Sequence, residues 1–262
     1  MIIRKISRII KLKEYNIKVK TLDLGLKYFG FRWWHLFVVK RNFSKLKIDQ
    51  FDLIIDCQSK FRNTIILKQI PSKAFYSPTY NNFFCNNLDC SAEKFSMELK
   101  TTKYDIKNIP KKYFDEASRL LPDKNYIGFS LTQGNVYRKK EWPLDKVIKL
   151  AEEFVKNNKI PVFLIEKKYP ELKNNIKNLV PSALFPEHET SLNSPALVTC
   201  LGTRLDLAIT IDNGIMHMLS LSKIPIISLF GPTDSEKFAP KYKNSIILDS
   251  KKIYNSKDVS DI

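Results

Sequence analysis

Ile211-Asp-Asn-Gly-Ile-Met-His-Met-Leu-Ser-Leu-Ser-Lys-Ile-Pro-Ile-Ile-Ser-Leu-Phe-Gly-Pro-Thr-Asp234 is the stretch on which the fold turns. Ala208–Ile211 ends a strand, Gly214–Leu221 has the length of a short helix, and Ile224–Phe230 is a second apolar strand. Asp212 or Asn213 can cap the helix, and Gly214 leaves a ligand room near its first turn. Free N–H groups and the helix dipole favour an anion there, most simply a phosphate. His217 lies one turn further on, and Gly231-Pro232-Thr233 forms a second turn at the same edge of the sheet. Asp-Asn-Gly is also an ordinary strand-to-helix turn and His217 a residue a core can hold, so spacing alone leaves both readings open.

Working outward, Tyr126–Leu131 and Ile160–Ile165 read as strands. Pro143 fits a first helical position, ahead of the stripe Leu144, Val147, Ile148, Ala151, Phe154 and Val155. Glu171–Leu179 follows Pro170 as a helix, and Ser194 caps another from Pro195 through Cys200. Upstream, Phe51–Asp56 is a strand, Gln58–Gln69 a helix stopped by Pro71, and Ala74–Tyr76 another strand. Tyr80–Asp105 has no clear period and reads as loop with short helical pieces. Pro110 and Pro122 bracket an amphipathic stretch that reads as a linker region with room for one helix, which places the domain boundary at 122/123. Such alternation predicts a parallel sheet with helices on both faces, and ligands bind such sheets at the carboxyl ends of their strands. The close, Lys257-Asp-Val-Ser-Asp-Ile262, reads as the lead-in to a further helix.

Composition sets the outer bounds. A chain of 262 residues with 44% hydrophobic content has enough apolar matter for one large or two small cores, which excludes disorder as its main description. Its apolar runs fall far short of the ~18–20 residues a membrane span needs. The basic, apolar start is followed by no small-residue cleavage site, so no signal peptide is expected. Four Cys make no disulfide framework, and no second Cys/His pair accompanies Cys85 and Cys90. Cytoplasmic thiols and no metal are expected. The formal charge of +17 favours anionic partners such as nucleic acid, anionic lipid or phosphorylated sugar. Only seven glycines occur, where ordinary usage gives roughly eighteen, so each marks a place of special geometry.

The motif Asp212-x-Gly214-x-x-His217, with Pro225 and Phe230-Gly231-Pro232-Thr233, resembles the donor-site signature of the glycosyltransferase family 9 heptosyltransferases. Ile127-Gly128-Phe129-Ser130 followed by Lys140-x-Trp142-Pro143 is similar to that family's first donor-domain strand and basic loop. Phe51–Asp56 with Gln58 resembles its Asp-x-Gln strand end. The resemblance implies an α/β fold of GT-B type, two Rossmann-like domains facing a cleft, here 1–122 on the acceptor side and 123–262 on the donor side. It implies inverting transfer of a heptose from an ADP-sugar donor to the lipopolysaccharide inner core, a lipid-linked anionic saccharide, at the cytoplasmic face of the inner membrane. No cofactor is expected. The chain has no Asp-x-Asp to hold a diphosphate through a metal, so cationic side chains must neutralise the leaving group. Lys140 is assigned that role, with Arg138 and Lys139 open between assistance and a solvated loop. Thr132 and Gln133 are expected to hydrogen-bond phosphate or sugar. Asp212 is expected to accept from sugar hydroxyls or to fix the turn, Asn213 and Gly214 to shape the donor-binding turn, His217 to touch the diphosphate or orient the turn, and Gly231 and Thr233 to lie near the donor.

The family's chains open with a strand, a Gly-Asp loop and a helix, and residues 1–50 contain no Gly-Asp turn. The first domain is therefore expected to be incomplete, and no catalytic base is assigned; Asp56 reads as a structural strand-end aspartate. Two alternatives accompany this reading. One is an inactive or fragmentary donor-binding relative. The other is a basic nucleic-acid-binding protein, disfavoured because the cations are spread along the chain without a binding motif. Phe29-Gly-Phe-Arg-Trp-Trp-His-Leu-Phe37 is open between core of the first domain and an anionic membrane face. His35 and His188 receive no role.

Overall fold

The structure, a computed structural model, describes residues 32–45, 49–56, 60–81, 83–85, 105–132 and 140–262. The chain divides into two compact units, Met1–Lys103 and Tyr104–Ile262.

In the first unit, helix α1 (His35–Ser44) is followed by β1 (Phe51–Ile55), α2 (Phe61–Lys68) and β2 (Ser72–Tyr76). The strands pair in parallel, Leu53 beside Ala74 and Ile55 beside Tyr76, so β1-α2-β2 is a crossover unit. Val39 and Phe43 of α1 pack with Ile66 of α2 and Ile70 to form the core. At the carboxyl end of β1 the buried Asp56 accepts hydroxyl bonds from Thr64 (2.7 Å) and Ser77 (3.0 Å). That carboxylate joins both strand ends to α2, the structural role its position suggested.

The second unit opens with α3 (Lys111–Leu120), then β3 (Tyr126–Ser130), α4 (Leu144–Lys156), β4 (Ile160–Phe163) and α5 (Pro170–Leu179). It continues with α6 (Pro195–Gly202), β5 (Leu205–Ile211), α7 (Gly214–Ser220), β6 (Ile226–Phe230), α8 (Ser235–Phe238), β7 (Ser245–Asp249) and α9 (Ser250–Tyr254). One parallel sheet runs β4-β3-β5-β6-β7. A parallel bridge from Val162 to Leu184 adds a further position outside β4. Counted with it, the strand order is 3-2-1-4-5-6, the doubly wound nucleotide-binding order. Every residue of β3 is buried, as a strand covered on both faces must be. One core layer carries Leu197, Leu201, Met216 and Leu219; the other carries Val147, Ile148, Ala151 and Ile176.

The division falls at Lys103/Tyr104 and not at 122/123, for a packing reason. Tyr113, Ala117 and Leu121 join the core layer of Leu197 and Leu201, so the proline-bracketed stretch is a helix of the second unit and no linker. One smaller expectation also shifts: Pro143 is the N-cap of α4, one residue before its first turn. Ser194 caps α6 as expected, accepting the Leu197 N–H at 3.1 Å. The final segment makes one helical turn, Val259–Asp261, capped by the Asp258 carboxylate.

Candidate functional site

Strand order locates the site before any side chain is considered. The chain leaves β3 toward one side of the sheet and β5 toward the other, and the gap beyond their carboxyl ends is the switch point where such sheets hold ligands. Ser130 ends β3 with Thr132 just beyond it, and Asp212-Asn213 joins β5 to α7 at Gly214.

Asn213 ties these two ends together. Its Nδ2 donates to Ser130 Oγ (2.7 Å) and to the Thr132 carbonyl (3.0 Å), while its Oδ1 caps α7 by accepting the Met216 N–H (2.9 Å). Lys140 and Asp212 form an ion pair in which both residues are more than nine-tenths buried. The Lys140 ammonium also donates to the Asp212 carbonyl at 3.2 Å. A cation so placed is poorly screened, and an anion brought beside it gains more than it would at the surface. Gly214 is exposed and a Cβ there would meet nothing within 4 Å, so neither strain nor packing demands the glycine; it keeps open space over the turn. His217 is exposed on α7, one turn on from Gly214.

Thr132, Lys140, Asp212, Asn213, Gly214 and His217 thus share one edge. Gly231 and Thr233 lie on the same edge one strand further along, but their contacts run to the end of the chain. A Cβ on Gly231 would come within 2.7 Å of the Val259 backbone nitrogen, so close packing accounts for that glycine. The Thr233 carbonyl accepts from Lys251 Nζ at 3.1 Å, and its buried hydroxyl finds no partner among the described residues. Gln133, Arg138, Lys139 and Gln58 lie outside the described residues.

Two features at this edge were assigned no role from sequence. Ser130 is fully buried and receives the Asn213 amide; a hydroxyl ending an otherwise apolar strand was the available clue. The other is the turn Pro186–His188, which follows the Leu184 bridge beyond the end of β4. Its Glu187 is buried with Oε1 unpartnered among the described residues, as are His188 Nε2 and Asn193 Oδ1. Burial, with Glu166 nearby, pushes the Glu187 carboxyl up to about 7. Burial pushes the His188 imidazole down, with Lys173 and Lys167 adding to it.

The model of glycosyltransferase family 9 (heptosyltransferase) matches residues 72–261. Among solved structures, a family 9 glycosyl transferase from Veillonella parvula is 17% identical, with 87% of this chain and 74% of that one covered and a TM-score of 0.62. The E. coli heptosyltransferase WaaC with ADP is 15% identical, covering 84% and 72%, with a TM-score of 0.53. A UDP-GlcNAc 2-epimerase from Methanocaldococcus jannaschii, 13% identical over 93% and 79%, reaches 0.55. At these identities the likeness is one of fold. No curated protein matches the sequence.

Proposed function

We propose, for a chain that belongs to glycosyltransferase family 9, that it moves a heptose from an ADP-sugar onto the lipopolysaccharide inner core, with inversion and without a metal. Sugar transfer in general follows from the family; donor, acceptor and stereochemistry are the finer reading. The observation that carries it is the buried Lys140–Asp212 pair at the switch point of a nucleotide-binding sheet. ADP in the WaaC structure supports the choice of nucleotide.

An acceptor hydroxyl attacks the anomeric carbon from the face opposite the diphosphate, the carbon–oxygen bond to phosphate breaks, and the configuration inverts. Negative charge then grows on the departing ADP. Lys140 neutralises it, while Asp212, released from the pair, takes sugar hydroxyls as hydrogen-bond donors. Asn213 fixes the turn, Thr132 and Gly214 bound the space above it, and Gln133, His217, Gly231 and Thr233 complete the donor side. The acceptor's proton passes to a base that no residue here is assigned to provide. The acceptor is a lipid-linked anionic saccharide, and the reaction takes place at the cytoplasmic face of the inner membrane.

Calorimetric titration of ADP, then of ADP-heptose, into the chain and its Lys140→Ala variant tests this. Micromolar binding that weakens tenfold or more in the variant is expected, about the effect of one charge-assisted contact. No binding by the folded wild-type chain would overturn it. The buried, hydrogen-bonded state of Asp56 favours one second reading, donor binding without turnover. Donor affinity with no release of ADP in the presence of acceptor would establish that instead.

A further inference from the structure

Helix α1 and the turn before it present a surface that the donor site does not use. Its inner face is committed to the core: His35, Val39 and Phe43 are all buried. The His35 Nδ1 accepts the Arg32 N–H at 3.3 Å, which fixes the entering turn. On the outer face Trp33 is 67% exposed, Trp34 43% and Phe37 66%. The three are neighbours, Trp33 meeting Trp34 edge-on at 5.9 Å and Phe37 at 6.0 Å. Single exposed apolar residues are ordinary, but three large aromatics together mark an interaction surface.

The charges around them select the partner. Arg32 stands over the Trp34 ring, and Arg32, Lys40, Arg41 and Lys45 are all exposed. Between positions 32 and 45 there is no acidic residue. Helical geometry puts Trp33, Phe37, Lys40, Arg41 and Ser44 on one side, aromatics toward the amino end and cations toward the carboxyl end. A second copy of the same surface would meet like charge. Nucleic acid needs open ring faces for its bases, whereas here the rings meet edge to face and Arg32 covers one of them. Amphipathic rings among cations are what the headgroup layer of an anionic bilayer accommodates.

We propose that α1 and its preceding turn form an interfacial anchor for anionic phospholipid, with Trp33, Trp34 and Phe37 seated at headgroup depth and Arg32, Lys40, Arg41 and Lys45 on lipid phosphates. Ten helical residues lie along such a surface and do not cross it. The inference deepens the proposed function, since a lipid-linked acceptor is reached only at a membrane surface, and it stands or falls on a separate measurement.

That measurement is co-sedimentation of the full chain with vesicles of phosphatidylcholine alone and with about a third phosphatidylglycerol, a strongly anionic surface. Binding to the anionic vesicles that weakens with salt is expected. Trp33→Ser/Trp34→Ser/Phe37→Ser should abolish it, and Lys40→Glu/Arg41→Glu should weaken it at least tenfold, since each surface cation contributes about fivefold. A Trp142→Phe background leaves Trp33 and Trp34 as the only tryptophans, and brominated lipid should quench their emission, a readout that needs no patch variant to fold. The proposal is overturned by wild-type chain left in the supernatant, by an aromatic variant that sediments like wild type, by unquenched fluorescence, or by an oligonucleotide that competes the vesicles away. The vesicles carry neither sugar nor nucleotide, so failure here leaves the ADP titration untouched, and failure there leaves this result standing.

Discussion

Asn213 does three jobs with one side chain, and a substitution separates them. Asn213→Ala removes the cap of α7 and both bonds to the end of β3, leaving the fully buried Ser130 hydroxyl short of a partner. A loss of about 2 kcal/mol in urea unfolding is expected. Asn213→Ser restores the cap without the bridge and should recover about half of it. Glu187 carries a pH dependence of definite sign. Its folded value of about 7 lies above the ordinary 4.5, so the folded state holds the proton more tightly. That stabilisation is complete below about 4.5, declines as pH rises, and is gone above about 7, a fall of up to about 3 kcal/mol. Glu187→Gln should flatten stability across that window and raise it at pH 8, which melting curves at pH 5 and 8 would read. The cap was legible in the sequence; the bridge from Asn213 to β3 and the burial of Glu187 were not. Ser130 and Asn213 stand 83 positions apart, Lys140 and Asp212 stand 72 apart, and nothing local in either pair names its partner.

At the scale of elements, the sequence was most informative where burial is two-sided. β3, β5 and β6 are apolar runs between turn residues because helices cover both their faces, and the caps at Ser194 and Asn213 are short-range chemistry that spacing exposes. β7 escaped notice because its Ile246 and Ile247 are exposed at the sheet's edge amid lysines. For α3 the amphipathic pattern allowed a helix, but its flanking prolines read as a linker, and only its packing on α6 declares which unit it belongs to. The two strand-end glycines make a matched pair of tests. Gly231→Ala drives a methyl into the Val259 backbone and should cost more than about 2 kcal/mol, seen as a lowered urea midpoint. Gly214→Ala meets open space, so the fold should hold to within about 0.5 kcal/mol while ADP affinity drops.

For the molecule as a whole, two units with separate cores imply two unfolding events. In a Trp142→Phe chain, urea denaturation followed by Trp fluorescence and by far-UV dichroism should not superimpose, because Trp33 and Trp34 report on the first unit and most helix lies in the second. ADP at a hundred times its Kd should move only the second-unit transition, by about 2.7 kcal/mol. Coincident transitions that shift together would show the units to be one cooperative body.

The Lys140–Asp212 pair has one more consequence, for discrimination among anions. The unliganded switch point already contains its own counter-ion, tethered at a local concentration no solute can match. Chloride or a lone monovalent phosphate offers Lys140 nothing that Asp212 does not, and has no means of displacing it. On the proposed function, a sugar diphosphate would bring charge to spare and contacts elsewhere along the edge, and would evict the carboxylate and hand it to the sugar it carries. The tethered carboxylate would then work as a threshold, keeping the cation occupied against the small anions of the medium until a multivalent ligand presents itself.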